Sequence, residues 1–303
     1  MVKIDPYFDK EPIELWQEAS RKRNKSYLNP DRKSRIELAL VQGGKHDFDR
    51  AIYGMTEVKS QLKVIFKGKC AFCETNTYVG AHKDVEHYRF KSHYYWLGYE
   101  WSNLLLSCQI CNRDFKKIQF PLENEANRIT THPLSIKGEF DRKLCKISSK
   151  ALINEQPLLL HPAVDNPKEH LQFSPNGTIQ GLNRQGGKSV KGEISIAIYG
   201  LNREQLVKAR EAIVMKIIKF ITDIYTYEIE KLSDSEKQKW MKTVITMTIG
   251  HIKAKITDRA NQYIAFREAL LENFEAFVID NLNFVDMPDK EIMRQAAREV
   301  LQN

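Results

Sequence analysis

Two Cys-x-x-Cys pairs, Cys70-Ala71-Phe72-Cys73 and Cys108-Gln109-Ile110-Cys111, restrict how this chain can fold more than any other feature. Each knuckle turn presents two thiolates to one side of a tetrahedral ion, and two such pairs supply every ligand of a closed site. The predicted occupant is a structural Zn2+ on Cys70, Cys73, Cys108 and Cys111. A redox motif would need a single pair at a helix start after a strand. With five cysteines in 303 residues the count is poor for a disulfide framework.

The stretches on either side have different character. Up to residue 66 the sequence reads as helical: EPIELWQEASRKRNKSYL, an Asn29-Pro30 turn, RKSRIELALVQ, and FDRAIYGMTEVKSQLKVIF carry apolar residues at helical spacing. Residues 67–135 concentrate cysteine, histidine and aromatic side chains and lose that periodicity. Residues 136–200 hold much of the Pro and Gly, and short apolar runs such as PLLL and ISIAIYG predict loops with a few short strands. From 201 to 303 the sequence predicts helices, with Asn202/Gln205 and Ser233/Glu236 as capping pairs. The fold class expected is mainly α, with helical N-terminal and C-terminal regions around a small zinc-clamped segment.

Within that segment Asp84-Val85-Glu86-His87 precedes Asn103-Leu104-Leu105-Leu106-Ser107-Cys108, and the second cysteine pair runs into Asn112-Arg113. This order resembles the HNH endonuclease family, whose fold is a ββα-metal finger often clamped by zinc on two Cys-x-x-Cys knuckles. The resemblance covers roughly residues 69 to 122. It implies His87 as the general base ending the first strand and Asn103 as the brace of the loop between the strands. Asn112 on the helix would hold a divalent cation together with Glu86. The chemistry asks for these types: an imidazole can deprotonate water near neutral pH, and oxygen donors suit Mg2+ or Mn2+. Arg89, Lys91 and Arg113 flank the site as candidate phosphate contacts. His82 and His93 read as structural or surface residues, and Tyr94, Tyr95, Trp96, Tyr99 and Trp101 as packing for a thin core.

More narrowly, EHYRFKSHYYWLGYEWSNLLLSCQICNRDFKKIQFPL, QPLLLHPAVDNPKEHLQFSPNGTI and IYGLNREQLVKAR look like the HNH nucleases beside ATPases in bacterial antiphage systems, the Septu type and some retrons. That resemblance spans about residues 69 to 210 and implies a partner ATPase. Departures are Phe90, where the group leads one to expect proline, and the absence of a glycine-containing turn near Lys117.

The remaining expectations follow from composition. A formal charge of +8 and a pI near 9.1 favour polyanionic partners, so nucleic acid, DNA first, is the expected substrate. No apolar run approaches membrane-spanning length and no secretory signal opens the chain, so a cytoplasmic protein without a membrane partner is expected. A homo-oligomer stays open. Gly181-Leu-Asn-Arg-Gln-Gly-Gly-Lys-Ser189 is not a P-loop: its glycine interval is one residue too long, and the following residues do not read as a helix. AIVMKIIKFITDIY fits a core-facing helix better than a membrane-surface one. The competing functional reading is a non-catalytic, zinc-stabilised subunit that binds nucleic acid or a partner protein.

Overall fold

The computed structural model describes residues 1–12, 38–77, 83–133, 141–229, 232–283 and 285–302. Nearly all of EPIELWQEASRKRNKSYL, the Asn29-Pro30 turn, the first residues of RKSRIELALVQ, and His82 lie outside the described residues. The chain divides into two compact units, Met1–His170 with Gly181–Gly200, and Leu171–Gln180 with Leu201–Asn303.

The first unit is organised on two antiparallel strands, β1 (Lys83–His87) and β2 (Leu104–Cys108), followed at once by a short helix, Ile110–Lys116. The register pairs Lys83 with Cys108 and His87 with Leu104. The three leucines of β2 are fully buried because the strand is covered on both faces. Helix Thr56–Ile65 packs against it, with Val58 and Leu62 in the core. The N-terminal segment adds Tyr7, whose hydroxyl donates to the Leu104 carbonyl at 2.7 Å and whose own carbonyl accepts from Trp101 Nε1 at 3.0 Å. The aromatic run after β1 is likewise core: Tyr94, Trp96, Tyr99 and Trp101 are buried and Tyr95 is half-buried. His93 donates from Nε2 to the Ile129 carbonyl at 2.9 Å.

FDRAIYGMTEVKSQLKVIF forms two helices, Arg50–Tyr53, capped by the Asp49 carboxylate on the Ala51 amide, and Thr56–Ile65. Elsewhere three local readings are corrected. ISIAIYG is not a strand: Val190–Ile198 is a helix, with the Ser189 hydroxyl accepting from the Gly192 amide at 3.2 Å. Alternating isoleucines mimic a strand period, but the cap and the burial of Ser195 and Ile196 decide for helix. One of the two grounds against a P-loop therefore fails. The other stands, reinforced by a tight hairpin in which Asn183 pairs with Lys188 and Arg184 with Gly187. Asn202 does not cap a helix either; its side chain brackets Ile179, accepting from the amide at 2.8 Å and donating to the carbonyl at 2.6 Å.

The second unit is helical, with long helices Glu204–Ile224, Asp234–Thr257 and Met287–Gln302 and the shorter Ile264–Glu272. Its core joins Val214, Ile221, Ile245, Ile249, Phe266, Phe274 and Met293, each almost fully buried. Side chains of this kind contribute roughly 1.5–3 kcal/mol apiece on burial. The Ser233/Glu236 capping box forms. AIVMKIIKFITDIY lies in Glu204–Ile224 up to its last residue, Tyr225, and buries Val214 and Ile221. No helix among the described residues is long and apolar enough to cross a membrane.

His161, fully buried in the first unit, packs its ring edge-on to Tyr88 at 4.7 Å and accepts from the Ala163 amide at Nδ1. Burial, with Lys191 and Arg89 nearby, holds its pKa down at about 3, below the ordinary 6.5. On acidification the unfolded chain therefore takes up this proton first, so the stability present above pH 6.5 is lost as the pH falls towards 3. His161→Asn should flatten the fall in unfolding free energy between about pH 7 and pH 5, by at most about 1.4 kcal/mol per pH unit, in denaturant titrations followed by circular dichroism.

Candidate active site

The cysteine pairs converge. All four sulfurs of Cys70, Cys73, Cys108 and Cys111 lie within 4.8 Å of one another, and Cys73 Sγ is 3.8 Å from Cys108 Sγ. A tetrahedral ion with Zn–S bonds of about 2.3 Å spaces its sulfurs about 3.8 Å apart, so the cluster fits a structural metal such as zinc. Burial pushes the Cys70 thiol well up and its thiol neighbours do the same to Cys111, so the thiolates need a cation between them. The first knuckle is a turn closed by the Glu74 amide on the Cys70 carbonyl, and the Ala71 amide donates to Leu106, pinning it to β2. Cys108 ends β2 and Cys111 lies in the first turn of helix Ile110–Lys116. Cys145, buried, stands apart from the cluster.

This junction sets the rotation of the helix, and with it a cleft of about 400 Å³ beside β1. Glu86, His87 and Asn112 line the cleft together. His87 is buried, and its Nε2 lies 2.8 Å from the Gly98 carbonyl. A carbonyl only accepts, so the proton sits on Nε2 and the Nδ1 lone pair is left available. Gly98 lets the Phe48 ring pack directly on the backbone here: a Cβ would fall 2.1 Å from that ring. Burial first, then the charges of Lys91 and Lys116, hold the His87 pKa at about 3, which keeps the ring neutral at neutral pH.

Asn103 is fully buried behind the cleft. Its Oδ1 accepts from the Arg89 amide at 2.8 Å, while Nδ2 donates to the carbonyls of Arg89 at 3.0 Å and Leu97 at 3.1 Å. The side chain thus ties the end of β1 to the loop carrying Gly98. Glu86 is buried against Lys116, Nζ to Oε1 2.6 Å, and the same ammonium donates to the His87 carbonyl at 3.0 Å. Burial raises the Glu86 pKa and Lys116 offsets part of that rise. Asn112 donates from Nδ2 to Asp84 Oδ2 at 3.3 Å.

The three basic residues expected at phosphates part company here. Lys91 lines the cleft and donates to the Tyr53 hydroxyl at 2.8 Å, and Arg113 lines it with about half its side chain exposed. Arg89 does not reach the cleft. It is buried, paired with Glu155, bonded to the Leu152 carbonyl at 2.7 Å, and lies over the Tyr94 and Phe120 rings at 5.0 and 4.6 Å. Its expected phosphate contact is corrected to a structural tie.

Sequence reasoning missed five contributors. Arg50, Tyr53 and Lys59, from the N-terminal helices, form one wall of the cleft, and the Tyr53 ring meets His87 edge-on at 4.7 Å. Only the fold brings them there. Lys116 had a local signal, since it follows Asn112 by four residues and so shares its helix face. Lys117 ends the helix at φ 50°, ψ −119° and lines the cleft. The turn it enters closes through the Gln119 amide on the Lys116 carbonyl at 2.8 Å.

No protein-family model matches the chain, and no solved structure matches it. The chain does have homologues among named proteins. Septu protein PtuB of Bacillus mycoides (strain KBAB4) is 34% identical over 217 residues, 65% of this chain and 66% of that protein. The chain therefore spans just under two thirds of that relative. Septu protein PtuB of Bacillus thuringiensis is 25% identical over 248 residues, 80% of this chain and 76% of that protein. Septu protein PtuA of the Bacillus mycoides strain is 27% identical over 162 residues, which make up 49% of this chain but 20% of that protein. All three matches are longer than the window from 69 to 210 read from the sequence.

Two outcomes follow from the geometry. Purified protein should carry one zinc per chain by elemental analysis, and Cys111→Ser should lose it together with the near-ultraviolet dichroism of the packed aromatics. Lys116→Met leaves Glu86 buried without its partner, and should lower the unfolding free energy by about 3–5 kcal/mol in denaturant titrations.

Proposed function

We propose that this chain is a metal-dependent endonuclease of the HNH type that hydrolyses phosphodiester bonds in nucleic acid, DNA in the first place. The observation that carries the reading is His87: a buried neutral imidazole whose Nε2 proton is committed to Gly98, lining a cleft together with Glu86 and Asn112. The succession of strand, strand and helix under a four-cysteine clamp supports it.

In this reading His87 Nδ1 takes a proton from water as the water oxygen attacks phosphorus in line; the new P–O bond forms as the bond to the leaving oxygen breaks. Glu86 and Asn112 would hold Mg2+ or Mn2+ through their oxygens. When bound, the ion supplies charge compensation on the phosphate and the leaving group. Asn103 keeps the Gly98 carbonyl in place and so fixes the imidazole. Arg50, Lys59, Lys91, Arg113 and Lys117 around the cleft attract the phosphates. A phosphate beside Lys91 would cancel one of the charges that depress His87, making it a stronger base with substrate in place.

The homologues named Septu support a role in bacterial antiphage defence; in our reading the chain is the nuclease component and works beside a partner ATPase. PtuA, in which the related segment is a fifth of a much longer protein, supports a module that works with a larger one. His87→Ala should cut cleavage of plasmid DNA in Mg2+ or Mn2+ by at least about 10²-fold while zinc content and circular dichroism stay unchanged. Cleavage at the wild-type rate would overturn the assignment.

A further inference from the structure

Beside the cleft two carboxylates of β1 face two cations of the following helix. Asp84 and Glu86, two residues apart, point to one side of the strand, and each is neutralised across the gap. Lys116 takes Glu86, and Arg113 forks onto Asp84, Nε to Oδ2 and Nη2 to Oδ1 both 2.7 Å. The Asp84 side chain is only 6% exposed and carries a further contact that an anchor for an arginine does not need: Oδ2 also accepts from Asn112 Nδ2.

That contact decides which end of the Asn112 amide faces the cleft. An amide has one donor end and one acceptor end about 120° apart, and only its oxygen can bind a cation. With Nδ2 committed to Asp84, Oδ1 is turned away from Asp84, and a carboxylate cannot accept from that oxygen were the amide reversed. We propose that Asp84 is a positioning residue that sets the Asn112 amide with its oxygen presented to the divalent cation, acting through the hydrogen bond rather than by touching substrate. The inference rests on the reading of Glu86 and Asn112 as cation ligands. It makes Asp84 the outer partner of Asn112, a role whose loss elsewhere costs about 10–100-fold in metal affinity.

The test is an Mn2+ titration of the zinc-loaded full chain, followed by electron paramagnetic resonance and needing no turnover. Asp84→Ala removes the acceptor that holds Asn112 Nδ2, so it should weaken Mn2+ binding at least about 10-fold. Arg113→Ala removes the fork and keeps the Asp84–Asn112 bond, and should weaken binding less than about 3-fold. Exchanging the pair, Asp84→Asn with Asn112→Asp, restores a donor facing an acceptor and should bring binding back to within about 3-fold of wild type. The positioning role is overturned if Asp84→Ala binds like wild type, if Arg113→Ala loses as much as Asp84→Ala, or if the exchanged pair stays weak. A wild-type chain that bound no Mn2+ would instead overturn the cation reading itself, and this proposal with it.

Discussion

The four-cysteine cluster controls a rotation. Because Cys108 closes β2 and Cys111 sits in the first turn of the helix behind it, drawing both sulfurs to one centre fixes where that helix starts and how it is turned. Asn112 and Lys116 then follow by the helix repeat, and both fall over the carboxylate face of β1. A two-stranded sheet has too little buried area to impose such an angle unaided. The packing of Trp101, Tyr7 and the β2 leucines stiffens the finger, but the sulfur cluster aligns it.

The second constraint is electrostatic. Glu86, Asp84, Arg89, Glu155 and Lys116 are all buried, and ions taken out of water are tolerated only when paired. The structure separates these pairs by task. Arg89 and Glu155 hold the core: Glu155 also accepts from the Ile129 amide at 2.7 Å and the Tyr94 hydroxyl at 3.2 Å, tying three stretches of chain. The pairs across β1 and the helix instead stand at the edge of the cleft.

How much of this was legible in the sequence depended on the range of the interaction. The cysteine cluster declares itself because the spacing of each pair is local, and Glu86, His87 and Asn112, singled out by short motifs, line one cleft. The Ser233/Glu236 box was equally readable, since both halves of the cap are local. Arg89 was misjudged because its partner lies 66 residues away, and a basic residue beside a histidine looks the same whether it faces phosphate or a buried glutamate. The wall formed by Arg50, Tyr53 and Lys59 was invisible for the same reason. ISIAIYG misled in the opposite sense: its alternation is genuine, but a serine cap and tertiary burial outweigh it.

Lys117 shows what the cleft demands of the backbone. Its φ of 50° and ψ of −119° match the first central position of a II′ turn, where glycine dominates because a Cβ is crowded there. A side chain in that conformation costs of order 1–3 kcal/mol. Here the position holds a cation facing the cleft. At this one residue folding stability and charge at the cleft pull in opposite directions, so variants selected only for heat resistance should tend to take up glycine and give up the positive charge.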